Sequence, residues 1–242
     1  MSTEVVRAWD EPAGAVARGT VVVVPGRGEG PAQYRRFGAR IAGENWRVRL
    51  VDLDLDDTSS ALAELRAVVA DDTLPSPKVL VGVDAGAVWA TRVADPVGTD
   101  AVVVAGAAST SPRPVGGWPS ELDARTACPV HRGVLESDPT FERGSLSRPL
   151  PTAWATPVPP LQPTLVLHGD ADPVTPLAEA VNPYADAPQA VVKVVHGGRH
   201  DVLNDATHRA VAATLVLFLE SLRLGRDLPP IVSELVPAGA GA

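Results

Sequence analysis

The sequence predicts an α/β fold built on a doubly wound, mostly parallel sheet. Short valine-rich runs recur between amphipathic stretches that have the period of a helix. The runs are apolar throughout rather than at alternate positions, which is typical of strands covered by helices on both faces. Strand and helix alternate along the chain, and this order favours parallel pairing of the strands.

Six strands and five helices follow from these patterns. The predicted strands are 20–24, 47–52, 78–83, 100–105, 164–167 and 190–195, and the predicted helices are 32–44, 58–71, 85–94, 176–182 and 202–224. The first twenty residues are broken by Asp10-Glu11-Pro12 and Gly14, which predicts a short antiparallel hairpin at the edge of the sheet.

The regular alternation stops between residues 106 and 160, where ten prolines occur. Only short helical pieces, near 120–127 and 129–136, are expected there. A long excursion inside a compact domain is usually functional, so we predict a lid over a site, with a surface loop as the alternative. Trp118 and Trp154 lie in this lid insertion and are candidates for lining a pocket.

Length and composition indicate a single domain spanning 1–242, with a C-terminal tail at 225–242 whose last six residues are expected to be disordered. The net charge of −8 argues against nucleic acid and anionic membranes as partners. Cys128 is the only cysteine, which excludes an intrachain disulfide and a cysteine-based metal site. The N-terminal residues resemble neither a signal peptide nor a membrane span, so we expect a cytoplasmic protein.

The stretch Val-Leu-Val-Gly-Val-Asp-Ala-Gly (79–86) has the frame of a nucleophile elbow, with Asp84 where serine is usual. Gly82 and Gly86 flank it at the spacing that a sharp turn between strand and helix requires. Asp84 also precedes a predicted helix, where aspartate is a favourable N-cap. The residue is therefore a candidate nucleophile or a helix cap.

Three further strand ends carry polar loops. The loop Pro-Gly-Arg-Gly-Glu-Gly (25–30) follows the first parallel strand, and its backbone N–H groups could hold an oxyanion. It lacks the Gly-Lys-Ser/Thr ending of a phosphate loop. Asp170 and Asp172 follow a later strand, and His200 stands ahead of the last helix. Loops at the carboxyl ends of parallel strands converge on one crevice, which favours a shared site over three separate turns.

These motifs together resemble the α/β-hydrolase superfamily, especially its lysophospholipase-like and monoacylglycerol-lipase-like branch. The resemblance covers roughly residues 15–224. It implies that Asp172 is the triad acid and His200 the base, that the N–H groups of Arg27 and Ala85 form the oxyanion hole, and that 106–160 is a lid. It implies no metal and no organic cofactor.

Asp84 departs from the serine of the esterases and lipases in this superfamily. Members that resemble haloalkane dehalogenases and epoxide hydrolases carry aspartate there, because a carboxylate can attack an sp3 carbon and form an alkyl ester that water then hydrolyses. This chain has Ala85 where dehalogenase-like members place tryptophan. The only tyrosines, Tyr34 and Tyr184, lie outside the inferred lid, so His131 or a lid tryptophan would have to protonate a leaving oxygen.

The sequence thus predicts a hydrolase of a small, largely apolar molecule, with Asp84 as nucleophile and a halide-like or epoxide-like electrophile rather than an ester. Two alternatives remain: chemistry that uses Asp84 as a base, and a homologue that binds a small ligand without turnover. A hydrogen bond between Asp84 and His200 would favour chemistry.

Overall fold

A seven-stranded sheet organises the computed structural model, which describes residues 5–55, 57–111, 114–154 and 158–233. The strand order is β1-β3-β2-β4-β5-β6-β7, and every pairing is parallel except that of β1 with β3. The strands are β1 (Val5–Trp9), β2 (Gly19–Val24), β3 (Trp46–Val51), β4 (Lys78–Val83), β5 (Ala101–Ala105), β6 (Thr164–Gly169) and β7 (Ala190–Val195).

Helices cover both faces of this sheet. They are α1 (Pro31–Gly43), α2 (Thr58–Val69), α3 (Ala85–Val97), α4 (Trp118–Arg125), α5 (Pro129–Ser137), α6 (Leu177–Val181) and α7 (His208–Leu224). Apolar side chains of α1 and α7 pack on one face and those of α2 and α3 on the other. Every residue of β2, β4, β5 and β6 is buried, which explains why these strands are apolar throughout.

Two sequence predictions need correction. The N-terminal segment forms the edge strand β1, but β1 pairs with β3 and not with β2, so there is no hairpin. The last helix begins at His208 rather than near residue 202. The Asp205 carboxylate accepts hydrogen bonds from Arg199 N, Ala127 N and Thr126 Oγ1, which hold residues 200–207 in turns.

The predicted disorder of the last six residues falls outside the described part of the chain. Within the described residues, no helix is long and apolar enough to cross a membrane.

The insertion at 106–160 contains α4, α5 and two 3-10 turns, Ser145–Ser147 and Thr152–Trp154. It joins β5 to β6. Backbone atoms of α4 bind the loop that follows the carboxyl end of β7, which holds the insertion above the carboxyl ends of the strands. Two such bonds join His200 N to Ala124 O at 3.2 Å and Asp201 N to Arg125 O at 2.9 Å. The sheet and the insertion therefore enclose the strand ends where the polar loops meet.

Candidate active site

Asp84 lies at the turn between β4 and α3 with φ 50° and ψ −119°. A non-glycine residue rarely adopts this conformation, and such strain persists only where the surroundings enforce it. Here the Asp84 N–H donates to Ala105 O, and the Asp84 carbonyl accepts from the N–H groups of Ala87 and Ala108. Asp84 stands at the N-cap position of α3, but its side chain makes no capping hydrogen bond to the helix.

Two glycines allow this turn. A Cβ at Gly82 would lie 2.4 Å from Gly86 O, and a Cβ at Gly86 would lie 2.5 Å from Pro25 O. The elbow therefore packs directly against the loop that follows β2. This close approach brings that loop to the Asp84 carboxylate.

His200 joins the two candidate carboxylates. Its Nδ1 lies 2.8 Å from Asp172 Oδ2 and its Nε2 lies 3.0 Å from Asp84 Oδ1. The other oxygen of Asp172 accepts hydrogen bonds from Val174 N and Thr175 N, which fix the carboxylate. All three side chains are buried.

The neighbouring polar residues have other partners. Asp170 binds His196 Nδ1 and Gly197 N at the surface, so it shapes the turn and does not contact His200. His168 Nε2 donates to Thr175 O at 2.9 Å, and it lies 3.3 Å from Asp172 Oδ2. Asp172 is thus the carboxylate that orients His200.

Arg27, in the loop after β2, binds the Asp84 carboxylate through three hydrogen bonds. Its backbone N–H and Nε donate to Oδ2 at 2.9 and 2.8 Å, and its Nη2 donates to Oδ1 at 2.7 Å. Its third nitrogen, Nη1, donates to Arg148 O in the insertion. The predicted oxyanion N–H of Arg27 is therefore occupied by Asp84 itself, whereas the Ala85 N–H makes no hydrogen bond within the described residues.

Charges at the site stabilise one another. Burial raises the pKa of Asp84, but the charge and hydrogen bonds of Arg27, together with His200, hold it well below its usual value. Burial lowers the pKa of His200, yet Asp172 and Asp84 raise it to about 10. At neutral pH Asp84 is consequently ionised and His200 is protonated.

A cleft of about 600 Å³ leads to this site. Its walls come from the loop after β2, the loop after β3 and the end of the insertion, and they include Arg27, Ala85, Arg148, Leu150 and Trp154. The side chain of Arg27 is 10% exposed and that of Asp84 only 1%. A molecule entering the cleft thus reaches the guanidinium before it reaches the carboxylate.

The two tryptophans predicted for the pocket lie in different places. Trp154 lines the cleft. Trp118 does not; it packs against Phe141 with ring centroids 5.6 Å apart and under the guanidinium of Arg143. That prediction is wrong for Trp118, because the insertion has a small apolar core of its own that takes up this side chain.

A buried ionic cluster that joins the insertion to the loops after β2 and β7 was not predicted from the sequence. Arg125 is fully buried, and its guanidinium lies 3.3 Å from carboxylate oxygens of Glu29, Glu121 and Asp201. His131, a candidate proton donor, is also held here, with Nε2 3.1 Å from Asp201 Oδ2. The i,i+4 spacing of Glu121 and Arg125 is the one signal of this cluster in the sequence.

Tyr34 belongs to the same cluster and is hydrogen-bonded to Glu29. Tyr184 lines a separate small cavity beside α3. Neither tyrosine reaches the cleft.

Among the described residues, no group of three or more histidine, cysteine, aspartate or glutamate side chains is arranged to hold a metal ion.

Comparisons with known proteins concern the fold and the C-terminal part of the chain. A family model of α/β-hydrolases, described as TAP-like protein, matches residues 145–228, the part that carries Asp172 and His200 but not the elbow. No curated protein matches the chain in sequence.

Several solved structures share the fold. A monoacylglycerol lipase from Paleococcus ferrophilus is 18% identical with a TM-score of 0.67, and the match covers 87% of this chain and 97% of that one. A soluble variant of monoglyceride lipase from Saccharomyces cerevisiae is 14% identical with a TM-score of 0.66, and the match covers 88% of this chain and 90% of that one. The meta-cleavage product hydrolase of Pseudomonas fluorescens is 16% identical with a TM-score of 0.66, and the match covers 89% of this chain and 93% of that one. The predicted fold class and the resemblance to the α/β-hydrolase superfamily are confirmed.

Proposed function

Because the chain has the α/β-hydrolase fold, we propose that it is a hydrolase of a small, largely apolar molecule, with Asp84 as nucleophile, His200 as base and Asp172 as the acid that orients His200. One observation carries the proposal. The strained turn at Asp84 aims a carboxylate at a histidine that a second, fully buried carboxylate holds in place. A residue serving only to begin a helix needs neither the strain nor the histidine.

The proposed reaction begins at an sp3 carbon. Asp84 Oδ1 forms a bond to this carbon while the leaving group departs with the bonding electron pair, which gives an alkyl ester of Asp84. Water activated by His200 then attacks Asp84 Cγ, and the alcohol is released. Attack by Asp84 on an ester would instead give an anhydride, a high-energy product.

Protonation of His200 fits this order of steps. The charge and hydrogen bond of Asp84 are among the causes that raise the pKa of His200 to about 10. Ester formation removes that charge, so the pKa of His200 falls and the ring becomes available as a base only when an ester awaits hydrolysis. A leaving group that departs as a stable anion suits the site, since neither Tyr34 nor Tyr184 lines the cleft.

A second candidate function is binding without turnover. A carboxylate has about four lone-pair positions. Asp84 uses them for Arg27 N, Nε and Nη2 and for His200 Nε2, which leaves none for attack while Arg27 binds the carboxylate. This observation supports a ligand-binding protein unless Arg27 can release Asp84.

Trapping the ester distinguishes the two functions. In His200→Gln, alkylation of Asp84 needs no base but hydrolysis does, so the ester accumulates. Incubation with small alkyl halides and epoxides, followed by digestion and mass spectrometry, should show added mass on the peptide that contains Asp84. The matched control is His196→Gln, because His196 lies on the same loop with its ring exposed and contacts Asp170 only.

The Asp84→Asn variant in the His200→Gln background should show no adduct. Turnover of a halide by the wild-type protein without an adduct in His200→Gln would contradict the nucleophile. Saturable binding of these molecules with neither turnover nor adduct would support the binding protein instead.

A further inference from the structure

Arg27 is the feature of the site that the proposed mechanism does not explain. A nucleophile needs a free lone pair, yet the Arg27 fork covers one edge of the Asp84 carboxylate. The planar guanidinium matches a carboxylate in a two-point, charge-assisted contact. Arg27 is therefore a side chain suited to bind a carboxylate, and in this structure the carboxylate it binds is that of Asp84.

We infer that the substrate carries a carboxylate, which replaces Asp84 on the Arg27 guanidinium and so frees Asp84 Oδ1 for attack. This inference rests on the proposed function and names its substrate class: short carboxylic acids with a leaving group such as halide on the carbon next to the carboxylate. The group bound to Arg27 is a carboxylate before and after this exchange, because the substrate carboxylate takes the place of Asp84.

Access favours this exchange. Arg27 lines the cleft and Asp84 does not. The Arg27 side chain also donates through Nη1 to the carbonyl of Arg148, which belongs to the end of the insertion that walls the cleft. The guanidinium is thus held from one side by the elbow and from the other by the insertion, so that a ligand in the cleft competes with both.

The charges of the site also favour this exchange. In this structure Arg27 pairs with Asp84, and His200 pairs with both Asp84 and Asp172. When a substrate carboxylate binds Arg27, Asp84 keeps the Arg27 N–H and His200 but loses its guanidinium. Its carboxylate becomes more reactive at the moment when the electrophilic carbon is beside it. A neutral molecule offers the guanidinium no counter-charge and leaves Asp84 bound.

The covalent step is complete without a further reactant. Asp84 Oδ1 bonds to the carbon next to the substrate carboxylate, and halide leaves with the electron pair. Water adds to Asp84 Cγ, and the ester carbon–oxygen bond to Cγ breaks. The products are a 2-hydroxy acid, halide and one proton, and Asp84 is regenerated.

Binding of propionate, which cannot react, tests the receptor apart from the chemistry. In Asp84→Asn the side chain that competes with propionate for Arg27 loses its charge. Isothermal titration calorimetry should therefore show that propionate binds this variant at least about tenfold more tightly than it binds the wild type, because a larger fraction of the protein has Arg27 free to bind. Propionamide, which is nearly isosteric but neutral, should not bind.

Two double variants locate the anion. Asp84→Asn with Arg27→Met should lose propionate binding, and it leaves no unpaired charge that would unfold the protein. Asp84→Asn with Arg148→Met should retain it, because the Arg148 side chain pairs with Glu142 and only its carbonyl contacts Arg27. Loss of binding in the Arg148 variant instead, equal binding of propionamide, or no gain in Asp84→Asn would each overturn the inference.

Labelling separates this inference from the nucleophile proposal. In His200→Gln, 2-bromopropionate should label Asp84 faster than 1-bromopropane does. Equal labelling by both refutes the carboxylate requirement and retains the nucleophile. Propionate binding to Asp84→Asn without labelling by either halide refutes the nucleophile and retains the anion receptor.

Discussion

At the scale of single residues, the carboxylate at the elbow is bound by the main chain and guanidinium of Arg27 and by His200. A serine would need the Arg27 N–H only for an oxyanion in the transition state. Asp84 instead binds this N–H in the resting protein and draws the Arg27 guanidinium and a protonated His200 around it. A buried carboxylate requires such partners, because an unpaired buried charge is costly.

Asp84→Ser should therefore reveal an esterase. Without the carboxylate, the pKa of His200 falls, the Arg27 N–H becomes free, and a Ser-His-Asp arrangement results. We expect hydrolysis of p-nitrophenyl acetate at about 10² times the rate of Asp84→Ala or more, because general-base assistance contributes at least that factor. Equal rates in the two variants would mean that His200 is not positioned to serve a nucleophile at residue 84.

At the scale of elements, the junction of β4 and α3 is built on contact between backbones. Gly86 lies so close to Pro25 O and Val24 O that a methyl group there would push the loop after β2 away from the elbow. That loop carries the Arg27 N–H, so packing between two elements controls a hydrogen bond at the site. Gly133, by contrast, lies exposed inside α5 with nothing within 4 Å of an added Cβ.

These two glycines make a matched pair of substitutions. Gly86→Ala should lower the free energy of unfolding by about 1–3 kcal/mol through overpacking. Gly133→Ala should raise it by about 0.5–1 kcal/mol, because alanine favours the helix. Urea denaturation followed by circular dichroism measures both, and destabilisation by Gly133→Ala or none by Gly86→Ala would contradict the packing described.

At the scale of the whole molecule, the site ties stability to pH. The pKa of His200 is near 6.5 when unfolded and about 10 when folded. Between these values the folded protein binds the proton more tightly, so the stabilisation is complete below about pH 6.5 and is lost as the pH rises through about 10.

We expect the difference in unfolding free energy between the wild type and His200→Gln to shrink by up to about 1.4 kcal/mol per pH unit across this window. Urea denaturation at pH 7, 8 and 9 gives the slope. A difference independent of pH would mean that the folded protein does not hold His200 protonated. His196→Gln, which changes an exposed ring, is the control.

The whole molecule also shows what the sequence can predict. Valine-rich strands identify the sheet, and the small residues around Asp84 identify the elbow, because both depend on local pattern. The partner of β1 was predicted wrongly, since edge pairing depends on which strand is left unpaired. The contact of Arg27 with Asp84 and those of Arg125 with Glu29 and Arg27 O join residues 57 to 98 positions apart, which single-sequence patterns do not encode.

The carboxylate at the elbow also determines which reagents can detect this protein. Fluorophosphonates and related probes identify hydrolases of this fold by reaction with an activated serine hydroxyl, which is the group that residue 84 lacks. A proteome survey with such probes would leave this chain unlabelled, although its fold is that of their targets. Alkylating electrophiles, which carboxylates attack, are the corresponding reagents for proteins built this way.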